Sequence, residues 1–197
     1  MKSVEEIQKV ANRIRLDIIE MLVEAGSGHS GGPLGMADIF ATLYFQVLNH
    51  DPQNPDWPER DRLILSNGHI VPVRYATMAR AGYFPVDELM TLRKFGSRLQ
   101  GHPERVKLLG LETTSGPLGS GLSAASGMAL VLKMEKKKSQ RVYCLVSDGE
   151  FDEGNIWEAV LFAGNYKLSQ LTMIMDRNNI QIDGSTEEVM PLGDVAE

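Results

Sequence analysis

Two loops carry the clearest chemical suggestion in the chain. Asp148-Gly149 ends one run of β-forming residues, and Asn178-Asn179 follows the next, one crossover unit later. On neighbouring parallel strands the two loops would come together. A carboxylate, a side-chain amide and a loop carbonyl are hard oxygen donors. Mg²⁺ takes one or two carboxylates, and phosphate oxygens and water complete its octahedron. Gly149 would let a diphosphate approach the backbone closely. The competing reading is a pair of Asx turns closing strands, a role such dipeptides play widely.

Three of the four histidines follow a glycine in a predicted loop: Gly28-His29, Gly68-His69 and Gly101-His102. Imidazoles suit proton transfer near neutral pH and hydrogen bonding to hydroxyls or phosphates. A zinc site is the alternative, but the histidines are too far apart for a compact metal motif, and the chain has one cysteine. His50, after a helix and before Asp51-Pro52, reads as structural. Ser115-Gly116-Pro117-Leu118-Gly119-Ser120-Gly121 could present backbone groups to a ligand ahead of a helix. It lacks the Gly-Lys-Ser/Thr ending of a P-loop, and close helix packing explains it equally well. Glu153 and Glu158 flank a helix start. They read either as favourable charge near the helix N-terminus or as a carboxylate pair that transmits protons.

The elements that must position these residues alternate. Val4, Ile7, Ala11, Ile14, Ile18, Met21 and Leu22 predict a helix over 3–25, with a Ser3/Glu6 capping box and Gly26 as the stop. Further helices are predicted over about 36–48, from Pro72 to Ala81, from Pro85 to about Phe95, from the Gly-rich loop to about Lys138, and over 155–165. Apolar runs at Arg62–Ser66, Arg141–Ser147 and Leu171–Asp176 predict strands. This alternation predicts an α/β fold with a mainly parallel sheet, whose ligands bind where loops leave the carboxyl ends of strands.

Composition sets the bounds. The chain has 197 residues, 43% hydrophobic and 23% charged, with a net charge of −6. That is ordinary globular composition, and it gives no basic face for nonspecific nucleic-acid binding. Lys136-Lys137-Lys138 is expected to complement a helix dipole. Cys144, in an apolar run, is expected to be a buried inert thiol in a reducing cytosol. The acidic start is not a signal peptide, and no apolar run approaches the roughly 18 residues of a membrane span.

Six segments in one order carry a family resemblance. They are Gly28-His29-Ser30-Gly31-Gly32, Leu65-Ser66-Asn67-Gly68-His69, Gly101-His102-Pro103-Glu104, Ser115 to Gly121, Asp148-Gly149-Glu150 through Glu153-Gly154, and Asp176 to Gly184. With them the chain resembles the N-terminal, diphosphate-binding domain of the transketolases, over residues 7–195, which implies a three-layer α/β/α thiamin-diphosphate-binding fold. The resemblance implies thiamin diphosphate and Mg²⁺ as cofactors, with Asp148, Asn178 and the Ile180 carbonyl as metal ligands. It implies that Gly149 and His69 contact the diphosphate, and that Gly116, Leu118 and Ile182 face the cofactor rings. It further implies that His29, His69 and His102 line the substrate channel, hold hydroxyls and move protons as a ketose C2–C3 bond breaks. Glu153 and Glu158 would join a carboxylate network linking paired active sites. The expected reaction moves a two-carbon ketol unit from a ketose phosphate to an aldose phosphate.

Ser147 replaces the first glycine of the family's Gly-Asp-Gly, Ser115 stands where Thr is common, and Arg74 stands where an apolar residue is expected. In this family a glutamate on a second, pyrimidine-binding domain activates the cofactor, and residues 1–197 do not include that domain. They are expected to form a single diphosphate-binding domain lacking its C-terminal part, with a further helix starting near Gly193–Glu197. The leading expectation is the N-terminal half of a split transketolase, completed by a C-terminal subunit in a homodimer or heterotetramer. The alternatives are one chain of a related thiamin enzyme (deoxyxylulose phosphate synthase or 2-oxo acid dehydrogenase type) or a truncated, non-catalytic cofactor-binding module.

Overall fold

The first helix, α1 (Val4–Ala25), buries Ala11, Ile14, Asp17, Ile18 and Met21 along one stripe. Ser3 and Glu6 form the expected capping box: Glu6 N–H donates to Ser3 Oγ at 3.2 Å, and Ser3 N–H donates to Glu6 Oε2 at 2.7 Å. Gly26 ends the helix in the left-handed region, where a side chain would be strained. The computed structural model describes residues 2–195.

The chain divides into two compact units: Met1–Asp61 with Gly68–Thr114, and Arg62–Asn67 with Ser115–Glu197. In the first unit α1 packs against α3 (Ala37–Thr42) and α4 (Val71–Ala81). Arg80 of α4 donates to both carboxylate oxygens of Asp17 at 2.6 Å, and Asp17 is buried. This fork geometry gives the helix pair direction as well as attraction. Pro72 lies in the first turn of α4 and Gly82 ends it, as predicted.

Three details of this unit differ from expectation. The Gly-rich stretch after Ser30 is helical over α2 (Gly31–Gly35), with Pro33 buried in it. The helix expected over 36–48 is α3 followed by a wider π turn at Leu43–Val47, closed by Leu48 N–H to the Leu43 carbonyl at 2.8 Å. The helix expected from Pro85 to Phe95 is a 3₁₀ segment, Val86–Thr91. It cannot continue because Arg93 takes a φ of 61°. Arg74 is fully buried, and its Nη2 donates to the Gly110 carbonyl at 3.0 Å. His50 is structural as expected, with ring nitrogens 2.9 Å from Tyr83 Oη and 2.8 Å from the Tyr44 carbonyl.

The second unit is built on three parallel strands, β1 (Arg62–Leu65), β2 (Val142–Ser147) and β3 (Leu171–Asp176), in that order. The central strand β2 is a nearly continuous apolar run because both neighbours and the packed helices exclude water from it. Helices α5 (Ser120–Met134) and α6 (Gly154–Asn165) join Ile64, Val142, Cys144, Val146 and Phe151 in one core. Cys144 is a buried free thiol, and burial pushes its pKa up. Lys136-Lys137-Lys138 is not on a last helical turn: α5 stops at Met134, and Lys136 turns into the left-handed region. A short hairpin, β4 (Ile180–Gln181) with β5 (Gly184–Ser185), and one helical turn, α7 (Thr186–Val189), follow β3. Gly193–Val195 are not helical, and the rest of the helix start expected there lies outside the described residues. No helix is long and apolar enough to cross a membrane, among the described residues.

Candidate functional site

The carboxyl ends of β2 and β3 are neighbours, with Ser147 registered against Asp176, so the Asp148 and Asn178 loops leave the sheet side by side. Asp148 is buried. Its Oδ1 accepts from Gly149 N–H at 3.0 Å, and its Oδ2 accepts from Asn179 N–H at 2.8 Å and Thr186 Oγ1 at 3.2 Å. This one carboxylate therefore ties the β2 turn to the hairpin. Asn178 Oδ1 accepts from Ile180 N–H at 2.9 Å, a local turn that the Asn179 N–H bond joins to Asp148. Asp176 stands beside them. Burial raises its carboxyl pKa, the Asn178 amide at 3.3 Å pulls it back, and the Asp148 charge adds to the rise.

A Mg²⁺ ion fits this end on the chemistry of its donors. Among the described residues, no Lys, Arg or His pairs with the buried Asp148 charge. Its bonds come from neutral donors only, and a buried charge of that kind calls for a counter-ion. No three His, Cys, Asp or Glu side chains converge on a metal position among the described residues. The set of one carboxylate, one amide and one carbonyl does not need three, provided phosphate and water complete the sphere. Among the described residues, Asn67, fully buried after β1, has no partner for either polar side-chain atom, and Gln181 Oε1 is likewise unmet. Buried polar atoms in this state are costly unless a polar group or water reaches them.

The Gly-rich loop is clamped from below by Glu150. That side chain is fully buried and accepts from Ser66 Oγ at 2.7 Å, Gly119 N–H at 2.7 Å and Ser147 N–H at 2.8 Å. Ser115 Oγ donates to the Leu65 carbonyl, and Gly121 N–H donates to Ser66 Oγ. A methyl group on Gly121 would lie 2.5 Å from Ser66 Cβ, so only glycine lets α5 start this close to β1. The clamp leaves Gly116, Pro117 and Leu118 outermost and exposed, and nothing stands within 4 Å of a methyl at Gly116. Ser147, the departure from the family glycine, is buried with its N–H on Glu150.

Ile180 and Ile182 project from the hairpin, and Ile182 is 90% exposed. Glu153 caps α6, and Glu158 lies on its exposed face. Neither side chain makes a hydrogen bond or ion pair with the described residues. Trp157, Val160 and Leu161 share that exposed helix. Trp157 Nε1 donates to the Phe151 carbonyl at 2.9 Å, and the two rings meet edge to face.

In the first unit the histidines do converge. The His29 and His69 ring centroids are 5.1 Å apart at 61°, and His102 is close enough to act electrostatically on His69 and to feel His29. His69 is half-buried. Burial first, then the His29 and His102 charges, push its pKa down to about 4. Burial, His29 and Arg93 lower that of His102. At neutral pH His69 is thus a neutral ring that both donates and accepts, which suits binding hydroxyls.

Sequence reasoning gives no role to Glu150, Ser66 or Thr186. Glu150 and Ser66 stand inside the ordered motifs, but nothing local marks Thr186, which reaches Asp148 across the hairpin.

Known proteins resemble the chain along nearly all of its length. The family described as "Transketolase, thiamine diphosphate binding domain" matches residues 6–196. The 6-deoxy-6-sulfo-D-fructose transketolase subunit SqwG of Clostridium sp. (strain MSTE9) is 46% identical over 95% of this chain and 68% of its own length. An apulose-4-phosphate transketolase subunit of Phocaeicola vulgatus is 42% identical over 95% of this chain and 65% of its own. The chain spans only 29% of human transketolase, at 42% identity. The solved transketolase from Leishmania mexicana superposes with a TM-score of 0.90 at 39% identity, covering 97% of this chain and 30% of that one. Sequence, fold and the six ordered segments agree, and the chain belongs to the transketolase family through its thiamine diphosphate binding domain.

Proposed function

We propose that this chain is the diphosphate-binding part of a split transketolase, which moves a two-carbon ketol unit from a ketose to an aldose together with a C-terminal subunit. The observation that carries the reading is the buried Asp148 carboxylate, without a cationic partner among the described residues, at the β2–β3 edge of a chain with this family match. The resemblance to proteins named as transketolase subunits supports the division into two chains. Those two names specify a sulfonated ketose and a sugar phosphate, so a ketose with an anionic end group is the substrate class we infer.

Asp148, Asn178 and the Ile180 carbonyl hold Mg²⁺ in this reading, and Gly149 admits the diphosphate to the backbone. Thiamin diphosphate, when bound, supplies the carbanion and the electron sink for C2–C3 cleavage. Gly116 and Leu118 present the clamped loop, and Ile182 an apolar side chain, to its rings. His29, His69 and His102 bind substrate hydroxyls, and a neutral imidazole such as His69 takes the hydroxyl proton and, once protonated, returns it. Glu153 and Glu158 belong to a contact between subunits made through the exposed face of α6, where Trp157, Val160 and Leu161 offer apolar area.

The test is reconstitution. The chain, Mg²⁺, thiamin diphosphate and a C-terminal subunit should together transfer ketol units from ketose donors, and the chain without its partner should show little or no turnover. Full transfer by the purified chain would overturn the split-enzyme reading. Turnover of pyruvate in place of ketoses would overturn the transketolase assignment.

A further inference from the structure

The two glycines before His29 and His102 share a neighbour. A methyl group on Gly101 would stand 3.1 Å from Arg93 Nε, 3.2 Å from its Cζ and 3.4 Å from its Nη2. A methyl on Gly28 would stand 3.3 Å from Arg93 Nη1, with Leu22 at 2.6 Å. One guanidinium therefore lies close to both glycines, and a side chain at either position would press on it.

The Arg93 backbone is built for this placement. It takes a φ of 61°, its N–H donates to the Leu99 carbonyl at 2.9 Å, and the flanking Leu92 and Leu99 are buried. The neighbouring cations are already engaged, Lys94 with Glu24 and Arg98 with Glu88. Among the described residues no carboxylate pairs with Arg93. The charges that act on His102 are His29 and Arg93, His102 in turn acts on His69, and the nearby carboxylate Glu104 acts on Tyr75.

We propose that Arg93 is a positioning residue for the histidine set: its guanidinium spaces the His29 and His102 peptides and keeps a fixed positive charge beside the imidazoles. The inference deepens the transketolase reading and rests on it for its catalytic consequence. The planar fork matters as well as the charge, because it lies along two peptides where a lysine ammonium would touch one point. The charge favours neutral imidazoles and so extends their hydrogen-bonding state to lower pH.

The experiment uses the full chain with ¹³C-labelled histidine, by itself and reconstituted with its C-terminal partner, and compares Arg93→Ala, Arg93→Lys and Gly101→Ala. The His102 titration midpoint should rise in Arg93→Ala and stay near that of the unsubstituted chain in Arg93→Lys, with His50 as the unaffected internal reference. In the complex, kcat/KM should fall roughly 10- to 100-fold in Arg93→Ala and less in Arg93→Lys, the loss expected of slight misplacement. The acid limb of the pH profile should move to higher pH in Arg93→Ala. Gly101→Ala should disturb the His102 resonance in the unsubstituted background and do so less when Arg93 is Ala. An unchanged His102 midpoint in Arg93→Ala, or Gly101→Ala effects that ignore the residue at 93, would overturn the proposal. The titrations need no turnover, so an inactive complex would count against the transketolase reading without deciding the role of Arg93.

Discussion

The Asp148 end and the histidine set are held by opposite means. The first is fixed by directed hydrogen bonds onto buried carboxylates: Asp148 accepts three and Glu150 accepts three. The second has the His29 and His69 rings in edge contact, His69 on a 3₁₀ turn (Gly68–Ile70) where the sequence predicts a loop, with the Arg93 guanidinium close to the glycines before His29 and His102. One region stores negative charge among neutral donors, and the other gathers groups that would all be cationic if protonated. In the function proposed above, the difference separates an anchor from a handle: a bound diphosphate must stay in place through every turnover, whereas a proton carrier must change state within one.

The largest expected effect breaks the anchor. Asp148→Ala should weaken Mg²⁺–thiamin diphosphate binding by about 100-fold or more, since even outer-layer changes at metal sites cost about 10- to 100-fold. Calorimetry on the reconstituted complex measures it, and faster amide exchange at Asn179 should accompany it in the free chain.

Glu150→Ala should cost about 2–3 kcal/mol in urea unfolding, because three buried donors lose their acceptor. Glu150→Gln should cost less, because its remaining oxygen still serves Ser66 and Gly119. Equal losses in the two variants would show that the bonds to Ser66 and Gly119 contribute little.

Gly121→Ala should destabilise by about 1–3 kcal/mol through overpacking against Ser66, again by urea unfolding. No such cost is expected for Gly116→Ala, where the space is open, and this pair sharpens the contrast between clamped and presented parts of one loop.

The handle answers to pH instead. The folded pKa of His69, about 4, lies below its ordinary 6.5. Its contribution to stability is therefore complete above pH 6.5 and is lost as pH falls toward 4, where the unfolded chain binds the proton first. His69→Asn should flatten that part of the stability–pH curve.

The smallest effect is expected at the exposed Lys94–Glu24 pair, where Lys94→Ala should leave the urea unfolding midpoint almost unchanged.

Much of the frame is legible in the chain. The α1 stripe, its capping box and the three apolar strands each depend on residues close in sequence, and each lies where local physics puts it. The neighbouring Asp148 and Asn178 loops are legible because parallel strands bring adjacent carboxyl ends together. The roles of Glu150, Thr186 and Arg93 are not, because each depends on partners distant in sequence. Glu150 reads locally as one more acid near a helix start, yet its partners are Ser66 and Gly119. The short 3₁₀ segment after Pro85 reads in sequence as a longer helix because periodicity continues past Thr91, and only the left-handed turn at Arg93 stops it. Arg74 is out of pattern in the sequence, and the fold buries it with its guanidinium on a carbonyl.

The bond from Trp157 to the Phe151 carbonyl has a practical consequence. It ties an indole on the exposed face of α6 to the turn that begins at Asp148. The chain has only two tryptophans, so Trp57→Phe would leave a single emitter at that turn. Its emission would then report, without any added dye, when the turn tightens around a cation or the α6 face loses its water.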